Sequence, residues 1–300
     1  MIRQTYRLAA EACAEILWRV PALERPFVRF GPRALSTPGV RVFYRSAAHR
    51  LGKRFRTNDT QFRPVVVGDR ELVLDVTEFT AGPLYFGGAV YEPETTAHFI
   101  EHLEDGHVFV DIGANHGYFT VLAASLVGPS GRVVAFEPSP RVFEQLRQHV
   151  RLNGFESRVT LEPSALADRP AASARFYVSL SATNSGLSSL TPSHDMLKTG
   201  DLSDERTVAV AVDTFDRWLE HSGIGQVDLL KIDVEGAEAL VIGGMAGALH
   251  DGHIRSLIVE TTWEGPAHRL LCDAGYVARR LDPIGSLINI LFVKTDATRG

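Results

Sequence analysis

Val108-Phe-Val-Asp-Ile-Gly-Ala-Asn-His-Gly117 is the stretch that decides the fold. Val108, Phe109, Val110 and Ile112 have strand character and run into a turn with glycines at 113 and 117. Tyr118 to Val127 then spaces its apolar residues as a helix does. A strand ending in a glycine-bearing turn at a helix N-terminus lets a nucleotide-like ligand approach the backbone closely. Twenty residues after Gly117 a second apolar run, Arg132–Glu137, ends in an acid before Pro138. An acid there, at the tip of the second strand, is placed to receive a ribose diol.

Asp111 selects the ligand class. A dinucleotide would set its pyrophosphate against this carboxylate and be repelled. S-adenosylmethionine carries a sulfonium and an ammonium instead of phosphate, and an acid attracts both. Asn115 also breaks the Gly-x-Gly-x-x-Gly spacing of dinucleotide sites. Helix capping or surface solvation is the alternative for Asp111 and Glu137, but they fall on consecutive βα tips. The cofactor candidates of these two tips are Asp111, Gly113, Ala114, Asn115, Gly117, Glu137 and Pro138.

Three blocks, Asp111–Thr120 (Asp-Ile-Gly-Ala-Asn-His-Gly-Tyr-Phe-Thr), Phe136-Glu137-Pro138 and Lys231–Glu238 (Lys-Ile-Asp-Val-Glu-Gly-Ala-Glu), resemble the signatures of FkbM-type methyltransferases. The resemblance covers roughly residues 65–295, and the third block is the most family-specific. The first two by themselves indicate a class I methyltransferase. The resemblance implies an α/β, Rossmann-like class I sheet with a closing antiparallel hairpin, and S-adenosylmethionine as cofactor. It also implies methyl transfer to a hydroxyl of a sugar, glycolipid or natural product. It places Tyr91 and Glu92 near the cofactor pocket, although Glu92 reads equally as a first-turn helix acid.

Three hundred residues, 45% hydrophobic and 22% charged, suit one α/β domain with an N-terminal extension, or two small domains. No apolar run approaches the ~18–20 residues needed to span a bilayer. Charges at Arg3, Arg7, Glu11, Glu15 and Arg19 interrupt Ile2–Val20, so it reads as an amphipathic helix rather than a signal peptide. Cys13 and Cys272 form no metal spacing, and a reducing cytoplasm is expected.

The net charge of −5 is unevenly placed: residues 1–63 hold thirteen Arg and Lys against four acids, net +9, which leaves −14 on the rest. A basic arm on an acidic body points to an anionic partner, such as lipid headgroups at the inner membrane face or a phosphorylated carrier. Pairing with the body or with a second subunit, as in a homodimer, is the other reading. The division expected is a basic helical extension, 1–64, and a methyltransferase domain, 65–300. Within the latter, a hairpin and helix (65–104) precede the catalytic core (105–300).

Along the chain, Pro21, Pro26, Pro32 and Pro38 predict loop, then a short helix around Val42–Leu51. Val65–Val67 and Glu71–Val76 read as a hairpin. Glu94–Leu103 is helical. Val159–Leu161 is the third strand, with Ser164 and Ala165 at its tip as adenine contacts or as an ordinary turn. Ala174–Ser179 and Thr207–Val212 are strands flanking a polar insertion, about 181–204, read as a substrate-facing lid. Within it, Asn184-Ser185-Gly186 resembles a family feature. Asp213 is expected to cap a helix over Thr214–His221. Val227–Ile232 is the fourth strand, followed by one helix through Leu249, and Ser256–Glu260 is the fifth. Tyr276–Leu281 and Leu287–Val293 form the closing hairpin.

The acids left for chemistry are Asp233 and Glu235 after the fourth strand and Glu260 at the end of the fifth. Asp233 or Glu235 is a candidate general base for a hydroxyl. Alternatively Asp233 and Glu260 hold a divalent cation such as Mg²⁺, as in related sugar and catechol methyltransferases. Glu238 reads as a first-turn helix acid, and Lys231 as either structural or catalytic. His116, in the cofactor turn, is either a base or a rim residue. No Ser/His/Asp order or nucleophile elbow supports a hydrolase. The acidic body opposes nucleic acid as a substrate. A nicotinamide-dependent oxidoreductase and a non-catalytic binding protein that keeps the fold are the rival readings.

Overall fold

The computed structural model describes residues 2–58, 61–67, 69–77, 81–88, 90–178, 188–191, 207–282, 285 and 287–295. It forms two compact units, one running through Tyr91 and the other beginning at Glu92.

In the first unit, α1 (Ile2–Arg19) leads through a 3-10 turn (Pro21–Leu23) to α2 (Glu24–Ser36) and α3 (Pro38–Thr57). The hairpin β1 (Phe62–Val67) and β2 (Arg70–Asp75) and then α4 (Ala81–Gly87) complete it. The loop expected from four prolines is mostly helix. Pro26 and Pro38 lie in first turns, where no backbone donor is needed, and only Pro32 is interior. α3 runs to twenty residues because Leu51 and Phe55 are buried on the same face as Tyr44 and Ala48. α2 and α4 meet at Gly31, where a Cβ would lie 1.9 Å from the Phe86 carbonyl oxygen, and Tyr44 donates to that oxygen at 2.5 Å. Buried Glu24 accepts from Arg63 of β1 at 2.6 Å and from Tyr85 of α4. These contacts place the hairpin with the helices, so the unit ends at Tyr91 rather than at residue 64.

The second unit begins with α5 (Pro93–His102), β3 (Val108–Ile112), α6 (Tyr118–Leu126), β4 (Arg132–Phe136), α7 (Pro140–Leu152) and β5 (Val159–Glu162). A second set follows: β6 (Ser164–Leu166), β7 (Ala171–Tyr177), β8 (Thr207–Asp213), α8 (Phe215–Ser222) and β9 (Leu229–Ile232). The chain closes with α9 (Glu238–Gly243), α10 (Ala246–His250), β10 (Ser256–Thr261), α11 (Pro266–Asp273), β11 (Tyr276–Arg280) and β12 (Ile288–Lys294). Seven strands form one sheet in the order β11-β12-β10-β9-β3-β4-β5, parallel except for β12, which is antiparallel to both neighbours. The expected doubly wound sheet with its antiparallel hairpin is what forms. Its order reverses between β3 and β9, the crevice where such sheets bind ligands.

Three corrections follow from packing. Ser164 and Ala165 belong to a strand, not a turn: β6 pairs with β8 in a small sheet, and Ala165 is buried there with Phe176 and Val210. The helix after β9 breaks at Gly243-Gly244, because a Cβ on Gly244 would lie 2.0 Å from the Ala167 carbonyl oxygen. Thr214, not Asp213, caps α8, its hydroxyl accepting from the Arg217 N–H at 3.2 Å. Of the 181–204 insertion only Ser188–Thr191 is described, and Asn184-Ser185-Gly186 lie outside the described residues. Among the described residues, no helix is long and apolar enough to cross a membrane.

Candidate active site at the β3–β9–β10 tips

The cofactor turn spends its own donors. Gly113 and Ala114 both donate their N–H to the Phe136 carbonyl, at 3.0 and 2.9 Å, and Asn115 donates to Glu137 Oε2 at 3.0 Å. Gly113 (φ +87°), Asn115 (φ +50°) and Gly117 (φ +88°) hold the left-handed conformations that shape it. A Cβ on Gly113 would lie 1.9 Å from the Asp233 carbonyl oxygen, so this glycine lets the β3 and β9 tips touch. With those N–H groups occupied, the turn offers no nest for a pyrophosphate.

Asp111 is buried in β3 and accepts a 2.6 Å hydrogen bond from the Thr120 hydroxyl. Burial raises its pKa to about 6 against the opposing pull of Lys231. Glu137, also buried, accepts from Ser139 N–H at 2.8 Å as well as from Asn115. Burial raises it to about 7, and each oxygen keeps a further lone pair for a ribose hydroxyl. Asn115 Oδ1 is shielded from solvent with no hydrogen-bond partner among the described residues, an acceptor waiting in the turn. These residues fit S-adenosylmethionine: an orphan acceptor, two buried acids and no free anion nest. Pro138 is half-buried beside Glu137.

The β9 tip gathers the remaining acids. Lys231 is buried in β9 with its Nζ 2.7 Å from Asp233 Oδ2, 4.0 Å from Glu92 Oε2 and 4.8 Å from the centre of the Phe119 ring. Its neighbouring carboxylates raise its pKa even against burial, so it is a fixed cation. Glu92, in a left-handed conformation (φ +41°) at the start of α5, also accepts from Asn289 Nδ2 at 3.0 Å. It stands at the N-cap position of α5, and its side chain makes no capping hydrogen bond to that helix.

Asp233, Glu235 and Glu260 each bring an oxygen within 4.8 Å of the others. Burial, then Asp233 and Glu238, raise Glu235 to about 7. Burial and Asp233 raise Glu260 as well. Glu238 accepts from the Gly236 N–H at 2.8 Å, the structural role expected of it.

His116 is not brought into this cluster. It stays in the cofactor turn near Glu137, its carbonyl accepting from His149 at 2.7 Å. Sequence reasoning missed Thr120, Asn289 and Ser189. Asn289 is a lone amide within the apolar run of β12, which is the signal that was available. Ser189 carries no such signal: it bridges to Tyr177 and donates its hydroxyl to the Val234 carbonyl at 2.8 Å, tying the insertion to the Asp233–Gly236 tip.

Residues 111–277 match the model of the Methyltransferase FkbM domain. The chain belongs to the FkbM methyltransferase family. It is 30% identical over 203 residues to Methyltransferase sdnD of Sordaria araneosa, covering 59% of this chain and 76% of that protein. Protein-L-isoaspartate O-methyltransferase of Ignicoccus hospitalis is 29% identical over 86 residues, 28% of this chain and 41% of its own length. Among solved structures, it is similar to a Methyltransferase FkbM from Methylobacillus flagellatus KT. That match has a TM-score of 0.42 and 16% identity, and covers 93% of this chain and 60% of that one. The FkbM chain described here is thus a methyltransferase, and S-adenosylmethionine is its methyl donor.

Proposed function

We propose that the protein is an O-methyltransferase whose acceptor is a hydroxyl of a sugar, glycolipid or natural product. The observation that carries this reading is the carboxylate cluster at the β9 and β10 tips, beside the cofactor strand, with Glu235 poised near neutral pH. When bound, S-adenosylmethionine supplies an electrophilic methyl group on a sulfonium. Asp111, Asn115 and Glu137 hold it, and the β9 tip faces the acceptor. Glu235 takes the hydroxyl proton as the oxygen attacks, since a base with a pKa near the working pH is the most effective. Asp233 is already paired with Lys231 and serves better to orient the hydroxyl than to remove its proton. Three acids so close repel an anionic acceptor, which favours an alcohol over a carboxylate.

A second mechanism rests on the same oxygens: Asp233, Glu235 and Glu260 are hard donors spaced to hold Mg²⁺, which would acidify the hydroxyl. The Lys231 ammonium beside Asp233 opposes a further cation. The deciding experiment follows labelled methyl transfer to extracted glycolipids, nucleotide sugars and hydroxylated natural products, with and without chelator. Label on a hydroxyl is expected in both arms. Label confined to amines or carboxylates would sink the proposal. Thermal stabilisation by S-adenosylhomocysteine but not by NAD disposes of the oxidoreductase reading.

A further inference from the structure

The helices of the N-terminal unit carry a surface that methyl transfer does not use. α2 sets Arg25, Arg29 and Arg33 one turn apart, and α3 sets Arg41, Arg45 and Lys53 on a second four-residue stripe, all exposed. On α2 the stripe lies opposite Gly31, Ala34 and Phe27, which pack inward, Phe27 stacked on Tyr44. On α3 it turns away from buried Tyr44, Ala47, Leu51 and Phe55.

The other described cations of these helices have partners. Arg50 and Arg54 pair with Glu11, and Arg54 also with Glu15. Arg56 bonds Thr77, and Arg19 pairs with Glu15. The six stripe residues have no ion-pair partner among the described residues. Large apolar side chains stand exposed among them: Val42, 64% exposed, between Arg45 and Lys53 in helical projection, and Phe30, 49% exposed, next to Arg33.

We infer that this face docks the protein on an anionic lipid surface. Clustered cations supply attraction to headgroups, each strengthening partition roughly fivefold near an anionic bilayer. Exposed Val42 and Phe30 gain by entering the acyl boundary, as the apolar side of an interfacial helix does. A nucleic-acid backbone uses the cations but gives the aliphatic Val42 nothing to bury against. The inference is independent of which acceptor is methylated.

The test sediments the 300-residue chain with phosphatidylcholine vesicles containing phosphatidylglycerol and, separately, with phosphatidylcholine alone. Circular dichroism confirms that each variant is folded. Binding is expected only with phosphatidylglycerol, with release near ~1 M salt, where charge is screened within ~3 Å. Together, Arg25→Ala, Arg29→Ala and Arg33→Ala should lower partition about a hundredfold. The charge-matched set Arg147→Ala, Arg169→Ala and Arg217→Ala, exposed on the second unit, should lower it far less. Val42→Ser with Phe30→Ser should weaken binding at every salt concentration. Equal binding to both vesicle types, equal effects of the two arginine sets, or tighter binding to duplex RNA than to the anionic vesicles would overturn the inference.

Discussion

Lys231 and Asp233 project from the same side of the β9 tip, Nζ to Oδ2 2.7 Å apart, with the lysine buried. Lys231 is the cation nearest a set of acids that includes Glu92, Asp111 and Asp233. One buried ammonium therefore holds the tips of β3, β9 and the start of α5 in a common electrostatic frame.

Removing that ammonium should be costly. Lys231→Met leaves buried carboxylates uncompensated, which destabilises a fold by about 3–5 kcal/mol. Denaturant unfolding at neutral pH should register this loss, and acidification should narrow it as the acids take up protons. A loss under about 1 kcal/mol would show that water or rearrangement supplies the missing charge.

Glu137→Gln should weaken S-adenosylmethionine binding at least about tenfold while leaving the fold intact. The carboxylate braces the turn through Asn115 and Ser139 and has lone pairs left for the ribose, and a hydrogen bond to a charged acceptor contributes roughly 1.5–3 kcal/mol. Calorimetry reads the effect directly. Unchanged affinity would remove the β4 tip from the cofactor site.

Turnover should rise with pH through about 7, as Glu235 loses its proton and becomes competent as a base. Glu235→Gln should cut turnover roughly 10²–10⁴-fold, with S-adenosylhomocysteine affinity nearly unchanged. Asp233→Asn should also slow the reaction, because it loses the charge that orients the hydroxyl. If Glu235→Gln keeps more than half the wild-type rate, positioning alone accounts for catalysis. A chelator that silences the wild type would instead favour the cation mechanism.

The ligand-free protein should lose stability as pH rises from about 4 to about 7. Asp111, at about 6, and Glu137, at about 7, titrate above their unfolded values near 3.9 and 4.3, so the folded state binds more protons across that window. The expected slope approaches 1.4 kcal/mol per pH unit for each group where only the folded state is protonated. Thermal unfolding across the range should show it, and Glu137→Gln should flatten it. A melting temperature that climbs between pH 5 and 7 would contradict these burial effects.

The strand-turn-helix at 108–126, the acid-bearing tips and the strand succession were legible because each depends on local pattern. Alternation and apolar runs fix strands, and glycines at positive φ fix the turn whatever surrounds it. Prolines misled the reading of residues 21–41, since a proline's effect depends on its position within a turn of helix. The break at Gly243-Gly244 and the assignment of β6 to a second sheet also depend on partners far along the chain.

The same division holds within the site. Sequence by itself named Asp111, Glu137, Asp233, Glu235 and Glu260, since carboxylates at strand tips are visible in one dimension. Only tertiary structure decided what each can do. Burial, and the distance to a single lysine, separate a paired carboxylate at 233 from a neighbour at 235 held near neutrality. Those energies depend on solvent exclusion and on charges brought together from β9, β10 and α5, and no spacing along the chain encodes them.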